Sequence, residues 1–178
     1  MMTTEPTPQP LFSADDIARR VAELGAEITD FYRDSPLTVV ALTNGAMFFA
    51  ADLLRHIQLP LYVDTLSVAS SYHADRRGDQ FEFRSQLKLD PTGRRILLVD
   101  EVLDSGVTLQ RVSDFLRQRH DVLDVRTAVI VSKAIARPPE GLPQADWTGF
   151  SAPDGYLVGY GLDSHELYRN LPYIAVLK

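Results

Sequence analysis

Ile17, Val21, Leu24, Ile28 and Phe31 recur at the spacing of one helix face, and Ser13 stands before them with Asp16 three residues on. That arrangement predicts a capped amphipathic first helix whose stripe is core packing. The period then changes. Leu37 to Leu42 reads as a buried strand, Asn44-Gly45 as a tight turn and Ala46 to Ile57 as a helix, followed by a strand over Leu61 to Val68. Ser70 to Gln80 has little apolar content and predicts a mobile loop. Arg95 to Val99 reads as the central strand, Val107 to Arg119 as a helix and Val125 to Val131 as the next strand. Pro138, Pro139 and Pro143 interrupt the chain before short apolar segments at Trp147 to Phe150, Tyr156 to Tyr160 and Tyr173 to Leu177. Strand and helix in alternation predict an α/β fold, a mostly parallel central sheet flanked by helices. No repeat or second boundary is visible. One domain over 13–178 is expected, with residues 1–12 as a disordered tail.

Composition narrows the class. A chain of 178 residues that is 45% hydrophobic can bury one good core. It has no cysteine, so disulfide and thiolate chemistry are excluded. The start from Met1 to Pro10 has neither a basic segment nor an apolar one, and no apolar run is long enough to span a bilayer, so a cytoplasmic protein is expected. A net charge of -6 argues against general nucleic-acid binding. An anionic substrate would need local basic groups and a metal ion.

The chemistry concentrates between Arg95 and Leu109. An apolar strand ends in Asp100 and Glu101, a third carboxylate follows at Asp104, and Ser105-Gly106-Val107-Thr108 opens a helix. Carboxylates of this kind accept hydrogen bonds from vicinal hydroxyls or hold a divalent cation. Loop amides, a helix N-terminus and the hydroxyls of Ser105 and Thr108 suit a phosphate. An acidic surface turn is the plain alternative, but three carboxylates beside a glycine loop at one strand end favour a site for a phosphorylated sugar. Ligands of open parallel sheets sit beyond the carboxyl ends of the strands. Asn44-Gly45, the acidic motif and Lys133 all fall there. His56, His73, His120 and His165 lack ligand spacing, Gly159-x-Gly161 has no third glycine, and no Walker lysine exists.

The segment from Ile96 to Thr108 resembles the signature of type I phosphoribosyltransferases: hydrophobics, two acids, two hydrophobics, then Asp-Ser/Thr-Gly-x-Thr. Three further segments are similar to the hypoxanthine-guanine branch of that family. Gly45 to Arg55 looks like its pyrophosphate loop and helix, and Ser70-Ser71-Tyr72 like the tip of its mobile catalytic loop. Pro153 to Asp163, continued by Tyr168 to Ile174, looks like its base-binding segment. The resemblance implies the type I fold with a small hood built from the N- and C-terminal segments.

It also implies roles. Asp100 and Glu101 would hold the ribose hydroxyls of phosphoribosyl pyrophosphate, directly or through Mg2+. Asp104 would accept or relay the purine ring proton, and Ser105, Gly106, Val107 and Thr108 would cradle the 5′-phosphate. Lys133 would donate to the purine 6-oxygen, Tyr156 would stack on its face, and the backbone near Leu157 and Asp163 would read the 2-position. Asp163 is a candidate ligand of a second Mg2+, with Arg169, Asn44 and Gly45 on the pyrophosphate. Ser71 and Tyr72 would close over the reaction. Alone, Lys133 reads as a solvated lysine and Tyr156 as a core aromatic; their spacing from Pro153 and Asp163 favours function.

The implied activity is purine salvage, transfer of a 5-phosphoribosyl group to N9 of hypoxanthine or guanine by a homodimer or homotetramer. A non-catalytic protein sensing phosphoribosyl pyrophosphate is the alternative. One departure stands out. The family usually carries Lys or Arg before the loop glycine, and this chain carries Asn44, which leaves open whether Thr43-Asn44 adopts the family's non-proline cis peptide.

Overall fold

The computed structural model describes residues 8–33, 35–71 and 80–177. Helix α1 (Ala14–Phe31) begins where Ser13 Oγ accepts the Asp16 amide at 3.2 Å. Ile17, Val21, Leu24 and Ile28 are buried as expected. Phe31 is not: it is 55% exposed, because the last turn overhangs the sheet edge, where its ring meets Trp147 edge-on under the Arg126 guanidinium.

Six strands form the main sheet: β2 (Leu37–Thr43), β3 (Leu61–Ser71), β4 (Gln80–Phe83), β5 (Arg95–Leu103), β6 (Asp124–Lys133) and β7 (Trp147–Ala152). Their order is β4-β3-β2-β5-β6-β7. All pairings are parallel except β3 with β4. Helix α2 (Met47–His56) lies with α1 on one face, and α3 (Val107–Arg119) covers the other. A strand covered on both faces needs apolar residues at every position, which explains the run Ile96 to Val99. Leu97 and Val99 enter the cluster with Phe49 and Leu53, whereas Ile96 and Leu98 enter the one with Val112 and Leu116.

The second sheet is the expected hood. Strand β1 (Pro10–Phe12) pairs antiparallel with β9 (Ile174–Leu177), which pairs with β8 (Tyr156–Val158). The tail boundary at residue 12 is therefore corrected: Pro10–Phe12 are ordered by backbone pairing to β9 and by the Phe12 ring stacked on Phe150 at 4.3 Å. Strand β4 also went unread: it begins at Gln80, the last residue of the loop expected over Ser70 to Gln80, and β3 runs on through the loop's first two residues. The start of β4 and the end of β3 at Ser71 pair antiparallel, although Tyr72 and the Ser71 side chain, the expected closing pair, lie outside the described residues.

Candidate active site

Strand β5 outruns its neighbour. Its registered pairing with β2 ends at Ala41 opposite Val99, yet β5 continues to Leu103, so Asp100 and Glu101 stand beyond the last paired rung and Glu101 lies beside the turn of β2 at Asn44-Gly45. The Thr43–Asn44 peptide in that turn is cis, which answers the question the sequence left open. Gly45 lets Glu101 close on the turn: a Cβ there would lie 2.0 Å from Glu101 Oε1. Burial, and then the charge of Glu101, push the Asp100 carboxyl well above the usual carboxylate range, although its Oδ1 accepts the Glu101 amide at 3.0 Å.

That shift makes the acidic pair a stability liability. A raised carboxylate pKa means that the folded state holds the proton more tightly than the unfolded chain, so stability falls as pH rises above the ordinary aspartate value. Asp100→Asn removes the charge and keeps the Oδ1 acceptor. We expect it to stabilise the ligand-free protein by about 1 kcal/mol, or roughly 2–4 °C for a chain of this size. The gain should widen in thermal unfolding as pH rises above the ordinary aspartate value; an unchanged or lower midpoint throughout would contradict it.

The loop after β5 is built for an anion. Gly106 caps α3 in the left-handed region at φ 77, and a Cβ there would come within 2.4 Å of the Leu142 carbonyl. The first amide to close a helical bond onto this turn is that of Gln110, on the Gly106 carbonyl at 3.0 Å. Of the preceding amides, that of Val107 donates to Ser105 Oγ at 3.4 Å, a long bond that a phosphate oxygen can replace. Val107 presents its amide alone, since its side chain is buried in the core.

Across this loop Asp104 Oδ2 accepts from Lys133 Nζ at 2.7 Å, with the lysine side chain only 14% exposed. Arg137 fixes both from behind. It donates to the carbonyls of Leu103, Asp104, Lys133 and Pro143 and to Ser132 Oγ, all within 3.0 Å. Sequence reading missed this residue, since an arginine before two prolines resembles any surface charge.

The fourth wall is the segment after β8. Gly159 and Gly161 have φ of 96 and 101, and a Cβ on Gly161 would come within 2.0 Å of the Gly45 carbonyl. The segment is tied down by Tyr160, whose hydroxyl donates to Asp52 Oδ2 on α2 at 2.7 Å. Asp163 there pairs with Arg169 at 2.8 Å, and Arg169 also reaches Glu166 and the Gly161 carbonyl.

These walls enclose a crevice of about 530 Å³, lined among the described residues by Asn44, Gly45, Asp100, Glu101, Asp104, Ser105, Gly106, Thr108, Asp163 and Arg169. Arg84 and Glu166 line it too, and sequence reading named neither. Lys133 joins through Asp104. Tyr156 is 55% exposed on β8 outside the described lining, and the Leu157 side chain is buried, leaving its backbone available. No group of three or more metal-ligating side chains occurs among the described residues. The donor set nevertheless fits Mg2+, which favours one or two carboxylates completed by water and substrate oxygens.

The family model described as phosphoribosyl transferase domain matches residues 11–165. The hypoxanthine-guanine phosphoribosyltransferase of Bacillus subtilis is 36% identical over 94% of this chain and 92% of its own length. The hypoxanthine-guanine-xanthine phosphoribosyltransferase of Tritrichomonas foetus is 34% identical over 94% and 90%. A crystal structure of a Staphylococcus aureus hypoxanthine phosphoribosyltransferase superposes with a TM-score of 0.88 at 31% identity, covering 96% of this chain and 91% of that one.

Proposed function

Because the chain belongs to the phosphoribosyl transferase domain family, we propose that it moves the 5-phosphoribosyl group of phosphoribosyl pyrophosphate onto N9 of a 6-oxopurine, hypoxanthine or guanine. The products are a nucleoside monophosphate and diphosphate. The observation that carries this reading is the Lys133–Asp104 pair at the rim of an anion-binding loop. It puts a donor for a 6-oxygen and an acceptor for a ring proton beside the place where a sugar 5-phosphate would lie.

In the reaction, N9 bonds to C1 as the bond from C1 to the diphosphate oxygen breaks, and the diphosphate carries away the electron pair. Asp100 and Glu101 hold the two ribose hydroxyls, and the α3 N-terminus holds the 5-phosphate. Asp104 takes the imidazole proton once Lys133 turns to the 6-oxygen. Mg2+, held by Asp100, Glu101 and in a second position Asp163, would neutralise the departing charge. Ser71 and Tyr72 would close over the reaction and exclude water.

Incubation with Mg2+, phosphoribosyl pyrophosphate and one base at a time tests the reading. Diphosphate release is expected with hypoxanthine or guanine and not with adenine, whose amino group offers Lys133 no acceptor; silence with every base would sink the enzyme reading. No helix is long and apolar enough to cross a membrane among the described residues, and the cysteine-free chain suits the cytoplasm. Met47 and Phe48 at the exposed start of α2 suit packing against a second copy, as a homodimer or homotetramer requires.

A further inference from the structure

The crevice is rich in negative charge for a substrate that is itself anionic. Asp100, Glu101, Asp104, Asp163 and Glu166 line it, whereas the cations among its described lining residues are Arg84 and Arg169. Arg169 is already committed to Asp163, Glu166 and the Gly161 carbonyl. Lys133, near the rim, is committed to Asp104. Arg84 has no side-chain hydrogen bond or ion pair among the described residues; its amide alone is bonded, to the Ser67 carbonyl at 2.8 Å.

Its place in the sheet says which part of the substrate it faces. Along the carboxyl edge, in the order β4-β3-β2-β5-β6, stand Arg84 just past β4, Val68 and Ala69 on β3, Asn44-Gly45 after β2, the acidic pair and phosphate loop of β5, and Lys133 on β6. With the base at Lys133 and the ribose 5-phosphate on β5, the leaving group lies toward β2 and β4. We propose that Arg84 is the cation that binds the leaving diphosphate, an assignment that rests on the transferase reading.

The backbone under Arg84 is fixed in advance. Ser67 bonds this segment twice, through its carbonyl to the Arg84 amide and through its amide to Ser85 Oγ at 2.9 Å. Buried Asp64 accepts the amides of Lys88 and Leu89 at 2.7 and 2.8 Å, and the Phe83 ring packs on Phe115 at 4.3 Å. Anchored on both sides, the exposed guanidinium offers a planar fork that matches two oxygens of a diphosphate.

The test uses the whole protein with Mg2+ and inorganic diphosphate, followed by calorimetry and by the rate of nucleoside monophosphate pyrophosphorolysis. Arg84→Gln is expected to weaken diphosphate about tenfold or more, with ribose 5-phosphate held within about twofold and the unfolding midpoint within about a degree. Arg84→Lys should recover part of the loss. Unchanged diphosphate affinity in Arg84→Gln, or an equal loss for ribose 5-phosphate, overturns the assignment while leaving an active wild-type enzyme. A wild-type protein that binds neither ligand and turns over no base overturns the transferase reading and this assignment together.

Discussion

Asp104→Asn is expected to lower kcat by about 10²–10⁴-fold, the usual weight of a positioned proton acceptor, with KM for phosphoribosyl pyrophosphate little changed. Asn is the same shape and keeps an oxygen for Lys133, so the Arg137 scaffold behind it stays in place. What disappears is the ability to take a proton. The size of the effect separates two roles. If Asp104 served only to hold Lys133 in position, the variant would raise KM for the base and leave kcat near wild type. Steady-state kinetics with hypoxanthine at saturating phosphoribosyl pyrophosphate decide between them. The pH profile gives a second reading, since a lost proton acceptor flattens the acidic limb of kcat.

Gly161→Ala should be among the most damaging single-methyl additions to the described residues, with Gly159→Ala its geometric equal. At φ 101 an alanine is strained, and its Cβ would fall 2.0 Å from the Gly45 carbonyl, so either the β2 turn or the segment carrying Asp163 and Arg169 must retreat. We expect a loss of about 3–5 kcal/mol, the range reached when a close-packed contact and a special backbone angle fail together. For a chain of this length that is a midpoint lower by roughly 6–20 °C. Binding of diphosphate should suffer beyond what unfolding explains, because Gly45 also abuts Glu101. Thermal unfolding and calorimetry on the soluble fraction check both halves; a variant within a degree of wild type that binds normally would show that the backbones can part freely.

These contacts show what a linear reading of the chain reaches. Asp100, Glu101, Asp104 and the Ser105 to Thr108 loop are contiguous, so a strand that ends in carboxylates and opens a helix carries its own signature. Lys133 lies 29 residues from Asp104, and only the rule that ligands gather at strand ends brings them together. Arg137 and Arg84 have no such rule. One earns its place through carbonyls of separate segments, the other through its position at the sheet edge, and neither property exists before the chain folds. Strand β4 escaped because Gln80 to Phe83 is only four residues long and follows a polar stretch, too short a run for its period-2 alternation to stand out. Phe31 misled in the opposite direction: periodicity continued for one turn after the core had ended.

The hood also sets an order of assembly during synthesis. Strand β1 leaves the ribosome before every strand of the six-stranded sheet, yet its partner β9 leaves after them all. Every pairing of the six-stranded sheet can form before residue 156 is made, but Gly161 cannot reach Gly45, nor Arg169 reach Asp163, until the segment after β8 arrives. A nascent chain stalled after β7 would thus present a formed parallel sheet whose sugar-phosphate loop, Lys133 and Arg84 are in place and whose wall after β8, with Asp163 and Arg169, is missing. Truncated nascent chains should therefore resist proteolysis in the sheet well before they acquire any transferase activity.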